Sequence, residues 1–234
     1  TGVQTCALPI SKAQTGISYE VGTRGETTFN EGRDQLFYDL TAYRANLRNE
    51  YQTVCVNGST TCVNWGQSAT VNVPKTIHQG IELGLSGFFN RHIEARGILL
   101  YSDFRFDGDS LYGNNRMPGF PPVIVRGEFL NRWGASNTAK GMPSSYAGPT
   151  FEWVPTRAPM DNTNSVSNDA YAIFGFKAGG PIDQTWSWFL DARNLADKRY
   201  AATTNIGAGF GGNPGAAYYP GNGRSAYLGF EGKW

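Results

Sequence analysis

The residues able to do chemistry are few and widely spaced. Apart from Cys6 near the start, the cysteines are Cys55 and Cys62, with Val-Asn-Gly-Ser-Thr-Thr between them. A close pair straddling the Asn57-Gly58 turn signal predicts a small disulfide-closed hairpin, and so an oxidising compartment. A metal reading is weaker, because no second Cys or His pair lies nearby. His78 and His92 sit at a strand end and in a tight turn. A hydrolase would need one of them beside a nucleophile and an orienting group, so no catalytic residue is assigned. Gly207-Ala-Gly-Phe-Gly-Gly212 matches GxGxxG, the phosphate-cradling turn of dinucleotide sites. Such a turn needs a helix leading out of it, and Asn213-Pro214-Gly215 prevents one, so a flexible glycine-rich loop is expected. Asp107-Gly-Asp109 and Asp161-Asn-Thr-Asn164 bring hard oxygens together, but neither has the closing Glu of a calcium loop. Turn-forming Asp and Asn account for both. No metal and no cofactor is expected.

The elements that must carry these residues are strands. With 30 glycines, 14% aromatic and 17% charged residues, the chain is rich in turn and sheet formers and poor in charge. Its net charge of +1, with Lys and Arg scattered, gives no stripe for nucleic acid. No apolar run approaches the ~20 residues of a membrane helix, which leaves open a barrel whose strands need only ~10 alternating residues. Alternation runs through Ile17–Arg24, Leu36–Arg48, Gln79–Phe89, Ile93–Phe106, Val123–Trp133, Tyr146–Trp153, Tyr171–Ala178, Trp186–Asn194 and Gly223–Trp234. In the last of these Ala226, Leu228, Phe230 and Trp234 share an apolar face and Ser225, Tyr227, Glu231 and Lys233 a polar one. Ile98-Leu99-Leu100 blurs the phase of its strand. No segment sustains a helical i, i+3, i+4, i+7 pattern.

Connections between these strands alternate in length. The long ones are Asn49 to Pro74, Asp107 to Pro122, Thr156 to Asn168 and Leu195 to Asn222. Tight turns at one end and long loops at the other are what a membrane barrel requires, whereas a soluble sandwich has no reason to alternate. Trp133, Trp153, Trp186 and Trp234 at strand ends fit aromatic girdles. The expected fold is all-β: an antiparallel transmembrane β-barrel of the outer-membrane type, present as about nine to ten strands. The alternative is a soluble or secreted β-sandwich binding module. Residues 1–10 lack an initiator Met and a signal pattern, and Thr-Gly-Val-Gln-Thr-Cys-Ala-Leu-Pro-Ile closely resembles translated sequencing-adaptor read-through. We expect 1–10 to be a non-native segment on a fragment, with 11–234 as the domain.

Four segments resemble the C-terminal barrel of TonB-dependent outer-membrane receptors: Ser18-Tyr-Glu-Val-Gly22, His78-Gln-Gly-Ile-Glu-Leu83, Asp191-Ala-Arg-Asn-Leu-Ala-Asp-Lys-Arg-Tyr200 and the strand opened by Pro220-Gly-Asn-Gly-Arg224. Arg193-Asn-Leu195 followed by Asp-Lys-Arg-Tyr before a long last loop is the most specific of them. The resemblance implies the C-terminal portion of a barrel of about 22 strands in the outer membrane of a Gram-negative bacterium. It further implies a plug and TonB box upstream, which couple the receptor to the TonB complex, and uptake of a scarce ligand such as a ferric siderophore, haem or cobalamin. The iron–siderophore complex is expected because it is the family's commonest cargo. With a periplasmic C-terminus the long loops are extracellular and form one side of a ligand vestibule. Tyr112, Asn114, Arg116, Phe120, Phe210, Tyr218 and Tyr219 are the loop residues expected to meet a large polar chelate. The partners implied are therefore a metal chelate, the TonB complex and outer-membrane lipid.

Overall fold

The computed structural model describes residues 11–56, 59–62, 68–136, 143–212 and 217–233. Residues 1–10 with Cys6, the Asn57-Gly58 turn and Trp234 lie outside the described residues. Thirteen strands follow in order: β1 Thr15–Phe29, β2 Asp34–Cys55, β3 Ser68–Phe89, β4 Ile93–Phe106, β5 Val123–Ser136, β6 Pro143–Val154, β7 Ala158–Pro159, β8 Ser167–Asn168, β9 Tyr171–Pro181, β10 Trp186–Arg193, β11 Ala201–Thr204, β12 Tyr218–Pro220 and β13 Ser225–Gly232. Nine form one antiparallel sheet in the order β1-β2-β3-β4-β5-β6-β9-β10-β13. The short pairs β7/β8 and β11/β12 are folded into the long connections. A sandwich would need a second large sheet, and the described residues form none.

Register stacks the apolar residues of neighbouring strands on one side. Leu40 faces Leu83, which faces Leu99, which faces Val125, and farther along Phe151 faces Phe174 and Leu190 faces Leu228. Because side chains alternate with period 2, the intervening residues must share the other side. That side carries Glu20, Glu82, Arg96, Arg126, Glu128, Glu152, Lys177, Asp191 and Arg193. The blurred stretch resolves the same way: Leu99 lies on the apolar face, while Ile98 and Leu100 oppose Arg126 and Ile124 on the polar one.

Among the described residues no second sheet covers either face. Leu228, Phe230, Phe174 and Phe129 are 63, 61, 56 and 53% exposed, an arrangement that water penalises and lipid satisfies. The eight residues of β10, at ~3.3 Å each, span roughly the ~25 Å of an outer-membrane apolar band. Trp153 sits on this face at the long-loop end of β6, and Trp133 and Trp186 sit toward the tight-turn end, each about half exposed. Tight turns rest on Asn30 and Glu31 and on Asn90 and Arg91, all at positive φ. Paired positive φ values suit hairpins whose strands twist right-handedly.

One expectation fails in an informative way. Asn49 to Pro74 reads as loop, yet β2 continues to Cys55 and β3 begins at Ser68, so pairing resumes beyond the interruption. Pro74 has no N–H to give the ladder and Asn49 opposite it adopts φ 57. The ladder skips this step without ending. The hairpin tip is closed by a Cys55–Cys62 disulfide with Cα atoms 5.5 Å apart.

Candidate functional site

Two sets of polar side chains are built above this scaffold. The first is a ladder of charge across the polar face. Glu94, 1% exposed, accepts from Arg132 Nε at 2.6 Å and is ion-paired with Arg96 at 2.5 Å. Arg96 also faces Glu128 at 3.6 Å, and Lys177 donates to Glu128 at 2.7 Å. Next to these, Arg126 donates to Glu152 at 2.5 Å, and Tyr171 donates to the same carboxylate at 2.7 Å. Arg193 binds Asp191 at 2.6 Å and lies over the Tyr227 ring. Alternation along six adjacent strands brings these groups together, so the ladder is a product of register. Around it the sheet curves into a concavity of about 540 Å³ bordered by Arg96, Arg126, Glu128, Glu152, Lys177 and Arg193. Charge pairing of this kind keeps a wet wall rigid and close to neutral.

The second set ties the long connections into one layer. Its centre is Asp161, fully buried. The Asp161 carboxylate accepts from Ser165 N at 2.8 Å, Thr163 Oγ1 at 2.8 Å, Ser165 Oγ at 2.5 Å and Phe210 N at 2.9 Å. Burial opposes its ionisation, but the hydrogen bonds from Ser165, Phe210 and Thr163 outweigh that and hold its pKa below the usual carboxylate value. With both oxygens taken by N–H and O–H donors, the Asp161 segment is a cross-loop brace and offers a calcium ion no free lone pairs. Asn162 Nδ2 reaches Thr53 O at 2.8 Å and Asn115 Nδ2 reaches Asn162 O at 2.9 Å. Asn164 and Arg116 exchange side-chain-to-backbone hydrogen bonds at 3.0 and 2.8 Å.

The glycine-rich run belongs to this brace. Cys62 N donates to Gly209 O at 2.9 Å. A Cβ on Gly209 would lie 2.0 Å from Thr60 O, so only glycine lets the disulfide tip come this near. Residues 207–212 are thus packed against the tip where a flexible loop is expected.

The seven loop residues do not share one surface. Tyr112 is buried beneath its loop with Val73, Phe106 and Met117. Asn114 accepts from Gly108 N at 3.0 Å and caps the same loop. Arg116 is held by Asp103 at 3.3 Å and by Ser102 O at 3.2 Å. Phe210 packs on Met160, Val166 and Ala217. Asn114 remains on the surface, as do Phe120, Tyr218 and Tyr219, at 44, 41 and 48% exposure. Tyr218 and Tyr219 donate their hydroxyls to Ser167 O and Asn205 Oδ1, both at 3.2 Å. On the closing strand Ala226, Leu228 and Phe230 oppose Ala192, Leu190 and Trp188.

His78 lies in the middle of β3 and not at the strand end expected, because β3 begins ahead of Pro74, and His92 lies in the turn between β3 and β4. His78 Nε2 is 3.2 Å from Glu50, which also holds the Thr76 hydroxyl, and His92 Nδ1 is 3.0 Å from Arg132 O. Sequence reasoning does not find Glu94 or Asp161 as hubs, since the first looks like any lumenal carboxylate and the second like any turn former. Asn194 carried a signal, standing inside the most specific motif. It is 2% exposed and accepts from Lys198 N at 2.8 Å while donating to Lys198 O at 2.9 Å and Asn222 O at 3.0 Å. It thereby gathers both ends of the last long connection.

An open stretch of antiparallel wall, apolar outside and charged inside, with long loops at one end, is the architecture of an outer-membrane barrel. The chain belongs to the TonB dependent receptor-like β-barrel family, whose model matches residues 6–195. It is 25% identical over 204 residues to the ferric-pyoverdine M114 receptor PbuA of Pseudomonas sp. (strain M114), covering 86% of this chain and 23% of PbuA. Among solved structures, the copper transporter OprC superposes with a TM-score of 0.69 at 17% identity, over 96% of this chain and 32% of OprC. The ferric yersiniabactin uptake receptor FyuA of Yersinia pestis gives 0.67 at 18% identity, over 94% of this chain and 30% of FyuA. The chain therefore spans about a quarter to a third of the length of these relatives.

Proposed function

We propose that this chain is the C-terminal part of the barrel wall of an outer-membrane receptor of a Gram-negative bacterium. The receptor takes up a scarce metal chelate, with an iron–siderophore complex as the cargo. The observation that carries this reading is the asymmetry of the sheet. A continuous apolar face is left bare while the opposite face holds a connected charge ladder, as a wall between lipid and a wet lumen demands. The long loops then stand over the lumen as one side of the vestibule, with Phe120, Tyr218 and Tyr219 available to cargo. Asn114 and Arg116 stand beside them at the surface of their loop, while Tyr112 and Phe210 act indirectly, by shaping the loops that present those rings. The ferric receptor among its relatives supports iron as the metal, and energy from the TonB complex would enter through a plug upstream of this chain.

The test is uptake of radiolabelled iron by cells whose only ferric receptor is the full-length protein, in tonB-positive and tonB-negative backgrounds. Siderophore-dependent uptake that requires TonB is expected. Uptake that ignores TonB, or that carries copper and not iron, would sink the assignment.

A further inference from the structure

At one corner of the wall the lipid side changes character. On β2 the apolar face runs Leu36, Tyr38, Leu40, Ala42 and then, with the same period, Arg44, Asn46 and Arg48. On β3 it runs Leu83, Ile81 and then Gln79, Ile77 and Lys75, and on β4 Leu99, Tyr101 and then Asp103 and Arg105. Register sets these side by side. Arg44 opposes Gln79, which opposes Asp103, and Arg48 opposes Lys75, while Ile77 opposes Arg105. The cations therefore stand in lipid-facing columns, just beyond the last apolar residues, at the end where the long loops leave the sheet. By the same register β1, β5, β6, β9, β10 and β13 place no Lys or Arg on that face.

The protein does not neutralise these cations. Arg48 and Lys75 face each other directly, a like-charge pair that costs stability in a sheet. Arg105 and Arg116 are opposed in the same way and share one carboxylate, Asp103, at 2.9 and 3.3 Å. Arg44 donates at 3.2 Å to Asn46 Oδ1 and Gln79 Oε1, both neutral amides. Asp107 meets Lys75 through its N–H, 3.1 Å from Lys75 O, and among the described residues Arg44, Arg48 and Lys75 form no salt bridge. Five cations around one carboxylate call for an anion from outside the chain. Position selects its kind. One step of about 7 Å below Gln79 and Asp103 stand Ile81 and Tyr101, 43 and 37% exposed on the lipid side. An anion bound here has its underside on the apolar band, which suits a lipid whose headgroup carries phosphate, the group that Arg and Lys bind best.

We propose that Arg44, Arg48, Lys75 and Arg105 form a headgroup site on the outer surface of the wall for a phosphorylated lipid of the outer leaflet. Its phosphates lie against the opposed cations and its acyl chains on the band below. The inference rests on the reading of this face as lipid-exposed and is independent of the cargo. The experiment uses the purified full-length receptor in a neutral detergent and native mass spectrometry. Titrants are diphosphoryl lipid A, the same lipid after enzymatic dephosphorylation, and inorganic phosphate. Diphosphoryl lipid A binds at least about tenfold more tightly than the dephosphorylated lipid, and inorganic phosphate leaves no adduct at the same concentrations. Lys75→Gln weakens lipid A binding by about fivefold and Arg48→Gln with Lys75→Gln by about thirtyfold. Arg33→Gln, in a tight turn at the other end of the wall, changes nothing. Because the opposed pair is relieved, the lipid-free Lys75→Gln receptor melts no lower than the parent, which separates lost binding from lost folding. Equal binding of the dephosphorylated lipid or of inorganic phosphate, indifference to both substitutions, or a lower melting point of lipid-free Lys75→Gln overturns the site while iron uptake by cells stands. Normal assembly of a receptor carrying Leu83→Arg in the apolar band overturns the lipid-facing reading and the site with it.

Discussion

In the wall, β1 and β2 stay in register across all 15 residues of β1, and neighbouring strands repeat the same ladder, so no single side chain holds the sheet. In the loop layer one buried carboxylate, Asp161, gathers donors from its own turn and from Phe210 of a distant connection. The wall distributes its stability over a period, and the loops concentrate theirs in a few polar atoms. Substitutions in the wall should therefore matter by face and depth, and substitutions in the loops by identity.

Five outcomes test that contrast, all in the full-length receptor. Leu83, between Leu40 and Leu99 on the apolar face, is the harshest position for charge. Leu83→Arg should cost about 2–4 kcal/mol, read as loss of the folded band in unheated electrophoresis, and normal assembly would contradict a lipid-facing sheet. Glu94→Ala removes the carboxylate shared by Arg132 and Arg96, while Arg96 keeps Glu128 at 3.6 Å and Arg132 stays over the Tyr146 ring; with Arg96 58% exposed, solvent screens part of the loss. About 2 kcal/mol in urea unfolding is expected, and a change below 0.5 kcal/mol would mean that water already carries Arg132.

Asp161→Ala should loosen the loops by about 1–2 kcal/mol and leave the wall intact. Hydrogen exchange would rise in 107–122, 155–170 and 195–212 together, and a rise confined to 155–170 would deny the shared brace. The same carboxyl gives a pH dependence. Because its folded pKa is depressed, its contribution is fully present above the unfolded value of about 3.9 and is lost as pH falls through the lower folded one. Loop proteolysis by an acid-active protease should therefore accelerate below about pH 4 in the native receptor. In Asp161→Asn, which removes the titration, that acceleration should be absent. The smallest effect belongs to Arg126→Ala, within about 1 kcal/mol, since its side chain is 55% exposed.

The chain is legible from its residues alone where a pattern repeats. Every strand of the large sheet overlaps an alternating run, because a face shared by lipid forces period 2 on each strand that crosses it. It is not legible where the deciding contact comes from far along the chain. Tyr112 looks like a ligand-contacting residue from its type, yet it is buried against Phe106. Glu50 gives no sign in its neighbours that Thr76 and His78 will meet it across the hairpin. Gly209 advertises a cofactor turn until Thr60 is seen to lie against it.

By itself, then, the sequence determined the class of fold, the two unlike faces of the wall and the alternation of tight turns with long loops. These follow from local backbone geometry and from the solvent on each side. Only the tertiary structure decided which loop side chains brace and which stay open, how the ladder from Arg132 through Glu94, Arg96 and Glu128 to Lys177 connects, and which cations stand opposed beyond the apolar band. Those depend on which strands become neighbours and how far each hairpin extends, and hydrogen-bond partners separated by tens of residues leave no local trace in the chain.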